Sequence, residues 1–140
     1  MLLLDTNVLS EMRKVRVGHP GVKAWAAAQA TATLFISAIT VLEIERGVSK
    51  ALQQGDEAKA KIFTRWLDDQ VLPAFAGRIL AVDQHVARQA ARLPWPDPRD
   101  SRDAMIAATA LVHGATVATR NTKHFVACGV KLLNPWEGLA

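Results

Sequence analysis

Short apolar runs alternate with longer stretches of helical periodicity along this chain. Leu2-Leu3-Leu4 is the first run, and it stops at the carboxylate of Asp5. An apolar run without alternation suits a strand buried on both faces. Thr6 and Asn7 then suit a turn or a helix N-cap, and residues 8–12 start a helix. Pro20 opens a second, Ala-rich helix through residues 22–30. Residues 33–37 are strand formers and predict the second strand. Thr40 reads as the N-cap of the next helix, in a capping box closed by Glu43. Val41, Ile44, Val48 and Leu52 form the apolar stripe of that helix, with Glu43 roughly opposite and Glu45 at the boundary, paired with a base. Asp56 and Glu57 open a longer helix, through Val71. Residues 78–82 predict a third strand, and Asp83 caps a helix over 84–93. A stiff Pro-rich loop over 94–98 leads to a buried helix of small residues, 104–112, with Asp103 in its first turn. Residues 115–119 and 130–133 are the last two strands, with a short helix between them.

Strands alternating with helices imply βαβ units. The expected fold is α/β: one domain over residues 1–140, with a mostly parallel central sheet of four to five strands and helices on both faces, three layers in all. A chain of 140 residues is long enough for a full core.

Composition adds a partner class. Half the residues are hydrophobic and 21% charged, as in ordinary globular chains. The net charge of +4 favours an anionic partner, nucleic acid being the commonest. The single cysteine, Cys128, excludes an internal disulfide and a cysteine-based zinc site, and fits a reducing cytoplasm. Leu2 to Leu4 is too short for a signal peptide, and no apolar stretch approaches bilayer length, so no membrane association is expected. Trp25, Trp66, Trp95 and Trp136 are core or interface anchors, with core the default. His85 has no metal partner at ligand spacing.

Three strand-to-helix or loop-to-helix junctions carry polar groups: Asp5, Asp103, and the stretch from Thr119 to His124. In a parallel sheet such junctions share the C-terminal edge, where α/β proteins place their sites. Glu43 joins them if the start of its helix faces that edge. Carboxylates crowded together repel, which raises the pKa of at least one of them. A hard divalent cation with oxygen ligands relieves that repulsion, and no Cys or His cluster competes for a softer metal.

Four stretches carry a family resemblance: Leu4-Asp5-Thr6-Asn7-Val8-Leu9, Thr40-Val41-Leu42-Glu43-Ile44-Glu45-Arg46-Gly47, Arg102-Asp103-Ala104-Met105-Ile106-Ala107-Ala108-Thr109-Ala110 and Thr119-Arg120-Asn121-Thr122-Lys123-His124-Phe125. In this order they resemble the motifs of the PIN-domain family, and within it the VapC and FitB type of bacterial toxin ribonuclease. The resemblance implies an Mg²⁺- or Mn²⁺-dependent endoribonuclease, held inactive by a cognate antitoxin, dimeric, in a toxin–antitoxin assembly. By motif position Asp5, Glu43 and Asp103 would be the acidic ligands. Members of the family commonly carry a fourth acid after the fourth strand. Here that motif offers Asn121 and His124, so one cation is expected, with these two contacting water or the scissile phosphate.

On that resemblance Glu43 would orient the attacking water or take its proton. Thr6 and Thr119 would steady the ligands. Arg13, Lys14, Arg46, Arg102, Arg120 and Lys123 would hold the RNA backbone. A competing expectation is a catalytically silent PIN-like module that only binds an antitoxin or RNA. A response-regulator-like phosphoryl-transfer protein would need adjacent acids after the first strand and a Lys after the last, and neither is evident.

Overall fold

The computed structural model describes residues 1–14, 17–94 and 101–137. The chain runs β1 (Leu2–Leu4), α1 (Thr6–Arg13), α2 (Pro20–Ala28), β2 (Leu34–Ser37), α3 (Ala38–Gln53), α4 (Glu57–Arg65), a π-helical turn (Trp66–Val71), α5 (Leu72–Ala74), β3 (Ile79–Leu80), α6 (Gln84–Arg92), α7 (Ser101–His113), β4 (Thr116–Ala118), α8 (Thr122–Phe125) and β5 (Leu132–Leu133). Most of the expected Pro-rich loop, with Trp95, lies outside the described residues.

The five strands are all parallel, in the order β3-β2-β1-β4-β5. The apolar β1 therefore sits at the centre, between β2 and β4. Alternation along the strands divides the core in two. Leu4 and Ala118 face one side, where Val8 and Leu9 of α1, Val22 and Trp25 of α2, Ile44 of α3 and Trp66 are buried with them. Leu3 and Val117 face the other, against Ile106, Ala107 and Ala110 of α7, Phe125 and Cys128. Helices cover both faces, the three-layer α/β arrangement that the pattern predicts. Trp25 and Trp66 are core residues, and Trp136 packs half-buried at the core's edge.

Local chemistry explains most helix starts. Asp56 and Asp83 cap α4 and α6 by accepting from Lys59 N and Val86 N, each at 3.0 Å. The start of α3 corrects the expectation. Ser37, not Thr40, is the N-cap: its hydroxyl accepts from Ile39 N at 3.0 Å. β2 passes into α3 without a loop, so the first hydroxyl at the strand end does the capping. Thr40 falls in the first turn, fully buried. The apolar stripe shifts as well. Ile39, Thr40, Ile44 and Ala51 are buried, whereas Leu52 is exposed. Glu43 lies three residues after Thr40, on the flank of the buried face rather than opposite it. Glu45 is exposed and has no ion-pair partner among the described residues.

Candidate active site at the C-terminal edge of the sheet

The strand order reverses at β1: β2 and β3 lie to one side, β4 and β5 to the other. Open parallel sheets place their ligands outside the carboxyl ends of the strands at such a point. Asp5 ends β1 there and Thr119 ends β4. Asp5 N donates to Ala118 O at 2.9 Å, tying the two strand ends together.

Asp5 is only 5% exposed. Its Oδ1 accepts from Thr6 N at 2.8 Å, which caps α1. Its Oδ2 accepts from the Thr119 hydroxyl at 2.8 Å and from Asn7 Nδ2 at 3.3 Å. Asp5 is thus both a helix cap and a buried acid at the sheet edge. The Thr119 hydroxyl in turn accepts from Asn121 N at 3.0 Å, and Asn7 Oδ1 from Arg120 N at 3.2 Å. These bonds fix the β4–α8 turn against the start of α1.

Glu43 reaches the same place from α3. Its Oε1 accepts from the Thr6 hydroxyl at 3.0 Å, and that hydroxyl lies 3.2 Å from the Thr40 hydroxyl. Asp103, the third residue of α7, is half-buried, and its Oδ2 stands 3.7 Å from His124 Nδ1 on α8. The pKa values of Asp5 and Glu43 both lie above the ordinary carboxylate range. Burial is the main cause for Asp5, opposed by its bonds to Thr119 and Thr6 and by the nearby His124. Burial also leads for Glu43, and the negative charges of Asp5 and Asp103 push it further up, while Thr6 and Arg102 pull it down. Glu43 therefore feels the charges of both other carboxylates across this edge.

The raised values have a sign. Between the ordinary carboxylate range, about pH 4, and the higher folded-state values, the folded protein binds more protons than the unfolded chain. Stability from these two groups therefore falls as pH rises through that window. In chelator, urea unfolding of the wild type should show this loss as pH rises above the ordinary carboxylate range, about pH 4. Glu43→Gln should flatten it, because an amide does not titrate. An unchanged pH slope in Glu43→Gln would mean that Glu43 does not carry the strain.

Several expected site residues are brought together: Asp5, Thr6, Glu43, Asp103, Thr119 and His124. Asn121 is present only through its backbone N–H; its side chain is exposed and makes no cap to α8. Arg102 faces Glu43 electrostatically, and Arg120 lies 5.3 Å over the Trp136 ring. Arg13 and Lys14 are not at the site. They sit at the far end of the eight-residue α1, about 12 Å along its axis from Asp5. The Arg13 guanidinium stacks over Phe63 and Trp66 at 5.3 and 5.4 Å, and Lys14 pairs with Glu11 at 3.0 Å. Two further residues support the site. Asn7, whose type suits a turn or an N-cap, braces Asp5 and the β4–α8 turn. Thr40, whose position suggests a cap, places a buried hydroxyl beside Thr6. The available signal was a lone polar residue within an apolar stripe, three positions before an acid.

Among the described residues, no three His, Cys, Asp or Glu side chains close into a metal cage. The donor set nonetheless fits a hard divalent cation: oxygen ligands only, two of them strained by burial. Mg²⁺ is commonly held by one or two carboxylates and completes its shell with water.

The fold and site define a doubly wound parallel α/β protein with an acidic centre at its topological switch point. The PIN domain model matches residues 2–129, and the chain belongs to the PIN-domain family. It is 42% identical to the VapC ribonuclease Y4jK of Sinorhizobium fredii over 142 residues, covering 98% of this chain and 99% of that protein. The crystal structure of FitAcB from Neisseria gonorrhoeae superposes with a TM-score of 0.84 at 38% identity, covering 99% of this chain and 100% of that one. A toxin–antitoxin complex from Klebsiella pneumoniae gives 0.64 at 26% identity, over 99% and 100% of the two chains.

Proposed function

We propose that residues 1–140 form one PIN-like domain that acts as a metal-dependent endoribonuclease, the toxin of a toxin–antitoxin pair. The observation that carries the reading is the meeting of Asp5, Glu43 and Asp103 at the switch point, with the Glu43 carboxyl pushed up by the other two charges. Similarity to a protein named as a VapC ribonuclease supports RNA as substrate. Likeness to a chain of a toxin–antitoxin complex supports a protein antitoxin as partner; on the family resemblance that antitoxin holds the enzyme inactive, as dimers within a larger assembly. Its place of action is the cytoplasm, where RNA and antitoxin are available.

Asp5, Asp103 and Glu43 would hold Mg²⁺ or Mn²⁺, which when bound supplies Lewis-acid activation of water and neutralises charge developing on the phosphate. The protein residues do the rest. Thr6 fixes Glu43 through Oε1, leaving Oε2 to accept the proton of the attacking water. The raised pKa brings that carboxylate nearer the operating pH of a general base. Thr119 and Asn7 hold Asp5 in one rotamer. His124 stands beside Asp103 where its imidazole can donate to a phosphate oxygen, while Asn121 acts through its backbone N–H, which holds the Thr119 hydroxyl. Arg46, Arg102, Arg120 and Lys123 hold the RNA backbone, a duty that Arg13 and Lys14 are too remote to share.

The test is cleavage of a pool of structured RNAs by purified protein, with Mg²⁺, with Mn²⁺ and with chelator. Defined fragments in the two metal arms and none in chelator are expected. No cleavage in any arm, together with RNA binding indifferent to metal, would replace the nuclease by a silent binding module.

A further inference from the structure

An open cleft of about 410 Å³ runs along α3, its lining beginning at Arg46. Arg46, Gly47, Ser49, Lys50 and Gln53 line it from α3 and Arg102 from α7. Its lining among the described residues holds three cations and no carboxylate. Arg46, Lys50 and Gln53 repeat at helical spacing on one face, and Glu43 stands one turn before Arg46 on that face. The cleft therefore leads away from the carboxylates along about 10 Å of helix, from Arg46 to Gln53. Its inner end belongs to the active site, because the charge of Arg102 acts on Glu43.

Gly47 supplies an independent observation. It lies within the 16-residue α3, its φ is not positive, and a Cβ there would meet no atom within 4 Å. Neither backbone conformation nor internal packing calls for glycine, and glycine weakens a helix interior relative to alanine. A glycine on the wall of a basic cleft lets an incoming chain approach the helix backbone closely.

We propose that this cleft is a track for single-stranded RNA on one side of the scissile bond, with Lys50 and Arg46 on flanking phosphates, Ser49 and Gln53 as uncharged donors, and Gly47 as the point of closest approach. This rests on the nuclease reading for its substrate. The cationic, acid-free lining selects a polyanion over a protein segment.

The test uses a single-stranded RNA of about 12 nucleotides with 2′-O-methyl sugars, which resists cleavage, bound in chelator across a salt series. Lys50→Ala should weaken binding about 3- to 10-fold and reduce the slope of log affinity against log salt by about 0.7, the value of one single-strand phosphate contact. Gly47→Ala should weaken binding without changing the slope, since it adds bulk and removes no charge. It should also raise Tm by about 2 to 4 °C, because alanine is the better helix former. Wild-type affinity and slope in a folded Lys50→Ala protein, or wild-type affinity in Gly47→Ala, would overturn the track. Loss of antitoxin binding with RNA binding intact would overturn it in favour of a protein occupant. The nuclease reading fails separately. A wild type that binds the oligomer through this cleft yet cleaves no RNA keeps the track and loses the nuclease. Cleavage with unchanged KM by both variants keeps the nuclease and loses the track.

Discussion

Asp5→Asn and Asp103→Asn are each expected to lower RNA cleavage by about three orders of magnitude or more while leaving the protein folded. That size is expected of a group that both binds the metal and neutralises transition-state charge. The fold should survive for different reasons at the two positions. Asn caps a helix as well as Asp does, so the bond from Thr6 N to position 5 persists. An amide at position 5 also no longer suffers the burial that strains the Asp5 carboxylate, nor pushes on Glu43. Against this, Oδ2 of Asp5 accepts from both Thr119 and Asn7. An amide must leave one of those donors unmatched, at about 1–3 kcal/mol. The two effects oppose each other, and Asp5→Asn should come out near neutral in chelator. Asp103 is half-buried in the first turn of α7, where an amide loses the charge that pairs with His124 and the favourable helix-end charge of about 0.3–1 kcal/mol, but relieves the push on Glu43. Activity at saturating metal, read beside urea unfolding in chelator, checks both statements. An Asp103→Asn protein that unfolds would make Asp103 chiefly a structural residue, and full activity in either variant would remove it from the metal site.

Those carboxylates were legible because local chemistry announces them. An apolar run ending at Asp5, and Asp103 opening a helix of small residues, need only neighbouring residues to be read. The capping roles of Asp56 and Asp83 are local in the same way. Other features depend on distant parts of the chain. The order β3-β2-β1-β4-β5, which makes the Asp5 edge a switch point, is a property of four pairings no single segment contains. Closeness to Asp5 in sequence suggests an RNA contact for Arg13. A helix separates them, and Phe63 and Trp66, about fifty residues on, capture its guanidinium. α3 shows a third limit. Ser37 and Thr40 are both preferred N-cap types; β2 ending at Ser37 decides between them, and Glu43 lies on the flank that meets Thr6 rather than on the outer face.

Thr119→Val is expected to lower cleavage by about 10- to 100-fold, the usual range for a residue that positions a metal ligand, and to cost about 1–3 kcal/mol of stability. Valine matches threonine in shape, so the fully buried site stays filled and the change isolates the hydroxyl. That oxygen donates to Asp5 Oδ2 and accepts from Asn121 N. Removing it frees Asp5 on one side and strips the bond that fixes the β4–α8 turn carrying His124. It also deletes the largest hydrogen-bond influence holding the Asp5 pKa down, so Asp5 should rise further. Metal must then compete with a proton at Asp5 over more of the pH range, and the loss should be deepest on the acid side and shrink as pH rises. A purely structural role for Thr119 predicts the stability loss with no change in the pH profile of kcat/KM. Thr119→Ser, which keeps the hydroxyl, should restore most of the activity and the wild-type profile. If the serine variant behaves like the valine variant, the methyl packing matters and the hydroxyl does not.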